Sequence, residues 1–269
     1  MTRLGTWLAP PRPEVPAVVT DPAVRRVMGI EVVLVLAVTL GTAGFRSLLS
    51  LLNALLQPEP LSSQTAALNV SRTELGLIDL AYQLSGVVQL VAWAGLGVYL
   101  LWRSGVGGRM IGLDRTRPVR DVGYGLGLAA LVGVPGLAFY LAARAAGLNL
   151  TVVPAALTDT WWRFGVLLLA AVANAVAEEV LVVGFLVTRL RQLGWSENGA
   201  VFGSALLRGS YHLYQGFGGF VGNFAMGLLF GRFWQRTNRL WALVAAHALI
   251  DVVAFVGYTL LRGHVSWLP

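Results

Sequence analysis

Apolar residues fall into seven runs separated by short polar breaks: about 32–56, 75–102, 125–148, 161–193, 200–214, 217–234 and 240–261. Crossing a hydrocarbon core of about 30 Å takes about 20 mostly apolar residues at a helical rise of about 1.5 Å each. The pattern therefore predicts an all-α fold, a polytopic transmembrane helix bundle of about seven spans. The fifth run is short. The fourth is too long to cross upright and is expected to tilt, kink or break, with Gly184 a suitable point. Splitting it would give eight spans.

The ends and breaks fit one membrane domain. Residues 1–27 contain Pro10, Pro11, Pro13 and Pro16 and no apolar core of signal-peptide length, so they read as a flexible cytoplasmic tail. Residues 28–263 read as the integral-membrane domain. The polar stretch 57–73, with Pro58 and Pro60, is consistent with an external loop.

Composition sharpens this picture. Hydrophobic residues make up 56% of the 269 and charged residues 12%, which excludes an ordinary soluble enzyme. There is no Cys, so thiolate metal sites and cysteine nucleophiles are excluded. The net charge of +7 comes from Arg alone, since no Lys occurs. Those Arg residues cluster in alternate breaks: the N-terminal tail, the loop from Arg103 to Arg120, Arg189 with Arg191, and Arg232 to Arg239. That alternation follows the positive-inside rule and places the N-terminus in the cytoplasm. It makes the charge a matter of topology, with lipid bilayer and not nucleic acid as the surroundings.

Against that background a few ionisable residues stand out. The fourth run contains Glu178 and Glu179 side by side, the fifth Arg208 and His212, the seventh His247 and Asp251. A charge at mid-bilayer costs roughly 2.5–3.5 kcal/mol on insertion scales, so each needs a reason. Counted from the presumed cytoplasmic ends, Glu178, His212, His247 and Asp251 lie roughly 12–22 Å deep and can meet near the mid-plane. His247 and Asp251 share a helix face, as do Arg208 and His212, whereas Glu178 and Glu179 point about 100° apart.

One buried His or one Glu–Arg pair is commonly structural. The conjunction on three helices points to a functional site, for hydrolysis or for a proton or ion pathway. For hydrolysis two chemistries remain open. Glu178, His212 and His247 would form a His₂Glu set for Zn2+ with an open position for water. Alternatively Glu178 is the general base, with the two imidazoles polarising the carbonyl. Asn223, inside the Gly-rich sixth run, is a supporting candidate. Gly218/Gly222 and Gly227/Gly231 in that run are small-residue pairs that allow close helix approach.

At these residues the sequence resembles the CPBP intramembrane proteases, the CAAX protease and bacteriocin-processing (Abi) family. That family's pattern is EExxxR, then FxxxH, then HxxxN or HxxxD on successive helices. Glu178-Glu179, His212, and His247 with Asp251 match it, over roughly residues 160–260. Two positions depart: Val183 stands where the Arg is expected and Arg208 where the Phe is expected. An Arg arriving from the fifth helix would replace the missing partner of Glu179. The resemblance implies an endopeptidase acting on a peptide or membrane-protein substrate, with Glu178, His212 and His247 catalytic and Asp251 supporting the site. Glu179 reads as a further group that orients them, and Arg208 as its supporting partner. The Arg-only, Ala/Gly/Leu/Val-rich composition suggests a bacterial cytoplasmic membrane and speaks against a prenylated substrate. The two departures leave room for a non-proteolytic relative acting by binding, such as bacteriocin immunity. A small proton-coupled transporter is the third reading.

Overall fold

The computed structural model describes residues 17–265 and 268; the greater part of the expected tail, residues 1–16, lies outside them. The chain is almost entirely helical. Helix α1 (Pro22–Val38) begins inside the expected tail, because Asp21 accepts hydrogen bonds from the amides of Ala23 and Val24 and Pro22 presets the first turn. Helix α2 (Leu40–Leu55) follows after a bend of 48° at Thr39. Then come α3 (Gly76–Arg103), the short α4 (Gly108–Ile111) and α5 (Pro118–Ala145). Helix α6 (Arg163–Glu178) runs through a π-helical stretch, Glu179–Val187, into α7 (Thr188–Gln192). Helices α8 (Glu197–Ser210), α9 (Phe217–Thr237) and α10 (Leu240–Val252) complete the bundle; a second π stretch, Val253–Gly257, leads into α11 (Tyr258–Leu261). The only sheet among the described residues pairs Thr65–Ala67 in parallel with Thr151–Val153, with Thr65 opposite Thr151.

Four of these helical segments are long and apolar enough to cross a membrane: α3, α5, the continuous Arg163–Gln192, and Leu240–Leu261. The bent pair α1–α2 makes five if it counts as one span. The expected count of seven or eight is therefore not reached by length and composition. Two of the expected spans account for the gap. Helix α8 has 14 residues, about 21 Å of helix, well short of the hydrocarbon core. Helix α9 has 21 residues, but its apolar run is diluted by glycines, Asn223 and Arg232.

The long fourth run neither kinks sharply nor splits. Gly184 sits inside the π stretch, where a Cβ would come 2.9 Å from a Leu240 methyl, so the helix passes close beneath α10. The widened turn also leaves the carbonyl of Val182 to the buried hydroxyl of Ser204 on α8, which donates to it at 2.7 Å. This 30-residue helix is the core: two-thirds of its apolar window is buried, and α3, α8 and α10 pack around it. Helices α8 and α9 approach closely because Gly227 and Gly231 face Ala205 and Val201; a Cβ at Gly231 would come 2.7 Å from Val201.

Candidate active site

The central helix brings Glu178 and Glu179 to the start of its π stretch, both almost sealed from the surface, at 5% and 0% exposure. Their environments differ. The Oε1 atom of Glu179 takes two donors: Nη2 of Arg208 at 2.7 Å and Nδ1 of His247 at 2.7 Å. Its Oε2 is buried without a partner. Glu178 is held through Oε2 only, by the phenol of Tyr211 at 2.6 Å and, more distantly, by Nη1 of Arg208 at 3.5 Å. Among the described residues its Oε1 has no partner, yet it is not sealed off as Glu179 Oε2 is. The widely separated directions of neighbouring helix residues give the two carboxylates these separate partners.

Arg208 supplies the partner for Glu179 that Val183 cannot. Val183 lies buried in the π stretch, and the Arg208 guanidinium, with no exposure, bridges both glutamates and lies over the Phe230 ring, 5.8 Å from its centre. The arginine thus reaches Glu179 from α8, not from four residues further along its own helix.

His212 comes from the turn after α8. The amides of Tyr211 and His212 close that turn on the carbonyls of Leu207 and Gly209. Three further contacts fix it. Ser47 of α2 accepts from the amide of Tyr214 at 2.6 Å, Gln215 accepts from the amide of Leu150, and the amide of Phe217 donates to Leu148. Gly216 permits the last contact: its φ is 109°, and a Cβ there would sit 2.6 Å from the Leu148 carbonyl. The Nδ1 atom of His212 lies 2.9 Å from the carbonyl of Arg208. Since a carbonyl only accepts, Nδ1 carries the proton there, and in the neutral ring the lone pair lies at Nε2.

His247 is surrounded differently. Its Nδ1 meets Glu179, and its Nε2 lies 3.7 Å from Oδ2 of Asp251, one helical turn on. Asp251 in turn accepts from the side-chain amide of Asn174 at 2.9 Å. Glu178 lies within Coulombic reach of both histidines. A single polar chain therefore runs from Asn174 through Asp251, His247, Glu179 and Arg208 to Glu178 and Tyr211, with His212 attached at the Arg208 carbonyl. Asn223 is not part of it: its amide donates to the carbonyl of Gly219 in its own helix.

Sequence reasoning passed over two members of this chain. Asn174 is four residues before Glu178, hence on the same face of α6, and that spacing was the available signal. Tyr211 adjoins His212 in sequence, and its hydroxyl goes to Glu178.

Zn2+ is a poor match for the groups as they stand. Among the described residues no three or more His, Cys, Asp or Glu are grouped to hold a metal ion. A catalytic zinc site takes three protein ligands and keeps a fourth position open for water. Here Glu178 Oε2 is engaged by Tyr211, and both nitrogens of His247 face carboxylates.

No curated protein and no solved structure matches the chain. A family model does: residues 160–253, about a third of the sequence, match the type II CAAX prenyl endopeptidase Rce1-like family. The matched stretch runs from the start of α6 to the end of α10 and includes every residue of the polar chain just described. The long apolar helices and this match together support an integral-membrane protein, and residues 160–253 are similar to the CPBP/CAAX protease family.

Proposed function

We propose that the protein is an intramembrane endopeptidase in which Glu178 activates water for attack on a peptide carbonyl. The observation that carries this reading is the inequality of the paired glutamates. Glu179 is bonded to two cationic or potentially cationic groups and closed to water, so it serves as a fixed charge. Glu178 keeps Oε1 unpartnered and reachable, which is what a general base requires.

In the reaction, Oε1 of Glu178 takes a proton from water as the oxygen attacks the carbonyl carbon. The lone pair at Nε2 of His212 accepts the other hydrogen bond of that water and orients it. His247, anchored at Nδ1 by Glu179 and flanked by Asp251, supplies positive charge where the carbonyl oxygen becomes an oxyanion. Collapse of the tetrahedral intermediate expels the amine, which takes the proton from Glu178. Asn174 and Arg208 hold Asp251 and Glu179 in register, a supporting role that fixes the groups they touch. No step calls for a metal ion.

The test is cleavage by purified protein in lipid nanodiscs, against a peptide library that includes membrane-anchored segments and prenylated CAAX peptides. Wild type should give discrete products that persist in chelator. Glu178→Gln should insert normally and lose activity by about 10²–10⁴-fold, the usual contribution of a general base. Equal product from wild type and Glu178→Gln, or none from either, would overturn the reading.

A further inference from the structure

We propose that Tyr211 is a positioning residue that holds the reacting carboxylate away from its neighbouring arginine; the inference rests on Glu178 being the base. Arg208 sits between the two glutamates without exposure and has already captured Glu179 at 2.7 Å. Glu178 is the nearby alternative partner, yet it stays 3.5 Å from Nη1, at the edge of hydrogen-bond range. What separates the two cases is Tyr211. Its phenol donates to Oε2 of Glu178 at 2.6 Å, a short charge-assisted bond to the oxygen that faces Arg208, whereas the second donor at Glu179, His247, shares Oε1 with Arg208 and leaves that pair intact.

The phenol is itself fixed. Tyr211 is 6% exposed, its amide is tied to Leu207, and its ring lies 4.7 Å from the His212 ring at a tilt of 41°. One turn of chain thus delivers two neighbouring side chains to the same water: His212 on one side, and Tyr211 through the base. Without the phenol hydroxyl, the Glu178 side chain is free to rotate onto Arg208 as Glu179 does. Pairing with the guanidinium would draw the carboxylate off the position from which Oε1 meets the water.

Tyr211→Phe tests this, since it keeps the ring against His212 and removes one oxygen. In nanodiscs, kcat should fall about 10–100-fold, the scale of loss when a catalytic group is misplaced by about an ångström, with KM changed less than twofold. A packing defect would instead lower the melting temperature and leave the surviving fraction with wild-type kcat. A second measurement needs no turnover: the carboxylate stretch of Glu178, identified in infrared difference spectra by its loss in Glu178→Gln, should shift in Tyr211→Phe towards that of an arginine-paired carboxylate. An unshifted band overturns the proposal, as does wild-type kcat in Tyr211→Phe while Glu178→Gln is inactive. If wild type cleaves nothing, the protease reading fails, and the infrared band alone decides whether Tyr211 holds Glu178.

Discussion

Helices α3 and α5 and the central helix are similar in length and hydropathy, yet only 17% of the apolar window of α3 or α5 is buried, against 67% for the central one. The outer helices face lipid over most of their surface and keep their charges near their ends, as Asp79, Arg103, Asp121 and Arg144 do. The central helix is encased in protein and carries two adjacent glutamates near its middle. Apolar content alone does not distinguish the two kinds of helix. What does is whether neighbouring helices can supply donors, because a charge away from water is tolerable only when paired.

The strongest way to break this contrast is to remove the donor. Arg208→Ala leaves Glu179 facing His247 alone and Glu178 held by Tyr211 alone. Deleting one partner of a buried pair costs about 3–5 kcal/mol. Thermal unfolding in detergent should show a large drop, partly restored by adding Glu179→Gln. The matching change at the helix's own start, Asp159→Ala, removes an ion pair with Arg163 whose carboxylate is 89% exposed, and should cost no more than about 1 kcal/mol. Equal losses would mean that encasement does not set the value of the pair.

The same contrast applies to packing. Phe185, in the π stretch, is completely buried, and Phe185→Ala should destabilise by about 3–5 kcal/mol through loss of contacts and an unfilled cavity. Leu126 on α5 is 55% exposed to the surroundings, and Leu126→Ala should stay within about 0.5 kcal/mol, since lipid or detergent fills the space. Both are measured by the same unfolding titration.

A sequence reveals the ionisable side of such an arrangement well and its neutral side poorly. Glu178, Glu179, Arg208, His212, His247 and Asp251 stand out because each is costly in an apolar run, and the structure puts all six in one polar chain. The Arg208–Glu179 contact could be anticipated from the Val183 vacancy. Asn174 and Tyr211 could not be singled out in the same way, because an amide or a phenol in a membrane helix is cheap enough to need no explanation. The π stretch left no compositional trace either: its residues, Glu179–Val187, are as apolar as the rest of the run, and the Val182 carbonyl it frees is met by Ser204 from another helix. The span count of seven or eight is not reached for a related reason: hydropathy marks α8 as apolar, but the helix has only 14 residues and packs against α9 and the π stretch.

The smallest expected effect belongs to the loop that ties an outer helix to the helices of the polar chain. Arg239, just before α10, bonds Asp121 at the start of α5 and Asp114 in the preceding loop, the latter at 3.0 Å. Burial works to raise the Asp114 carboxyl, but hydrogen bonds from the Thr116 hydroxyl and amide and from Arg239 outweigh it and hold the group down at about 2, against an ordinary 3.8. A carboxyl lowered on folding adds stability that is fully present above the unfolded value and is lost as pH falls towards the folded one. The clamp should therefore be insensitive to pH above about 4 and weaken between about pH 4 and 2. Asp114→Asn should flatten that part of the stability profile and leave the neutral range with a small, pH-independent loss. Because α10 carries His247, cleavage at neutral pH serves as the second readout. A fall in kcat beyond the loss of folded protein would show that the outer clamp reaches the site through α10, whereas unchanged kcat confines its influence to the loop.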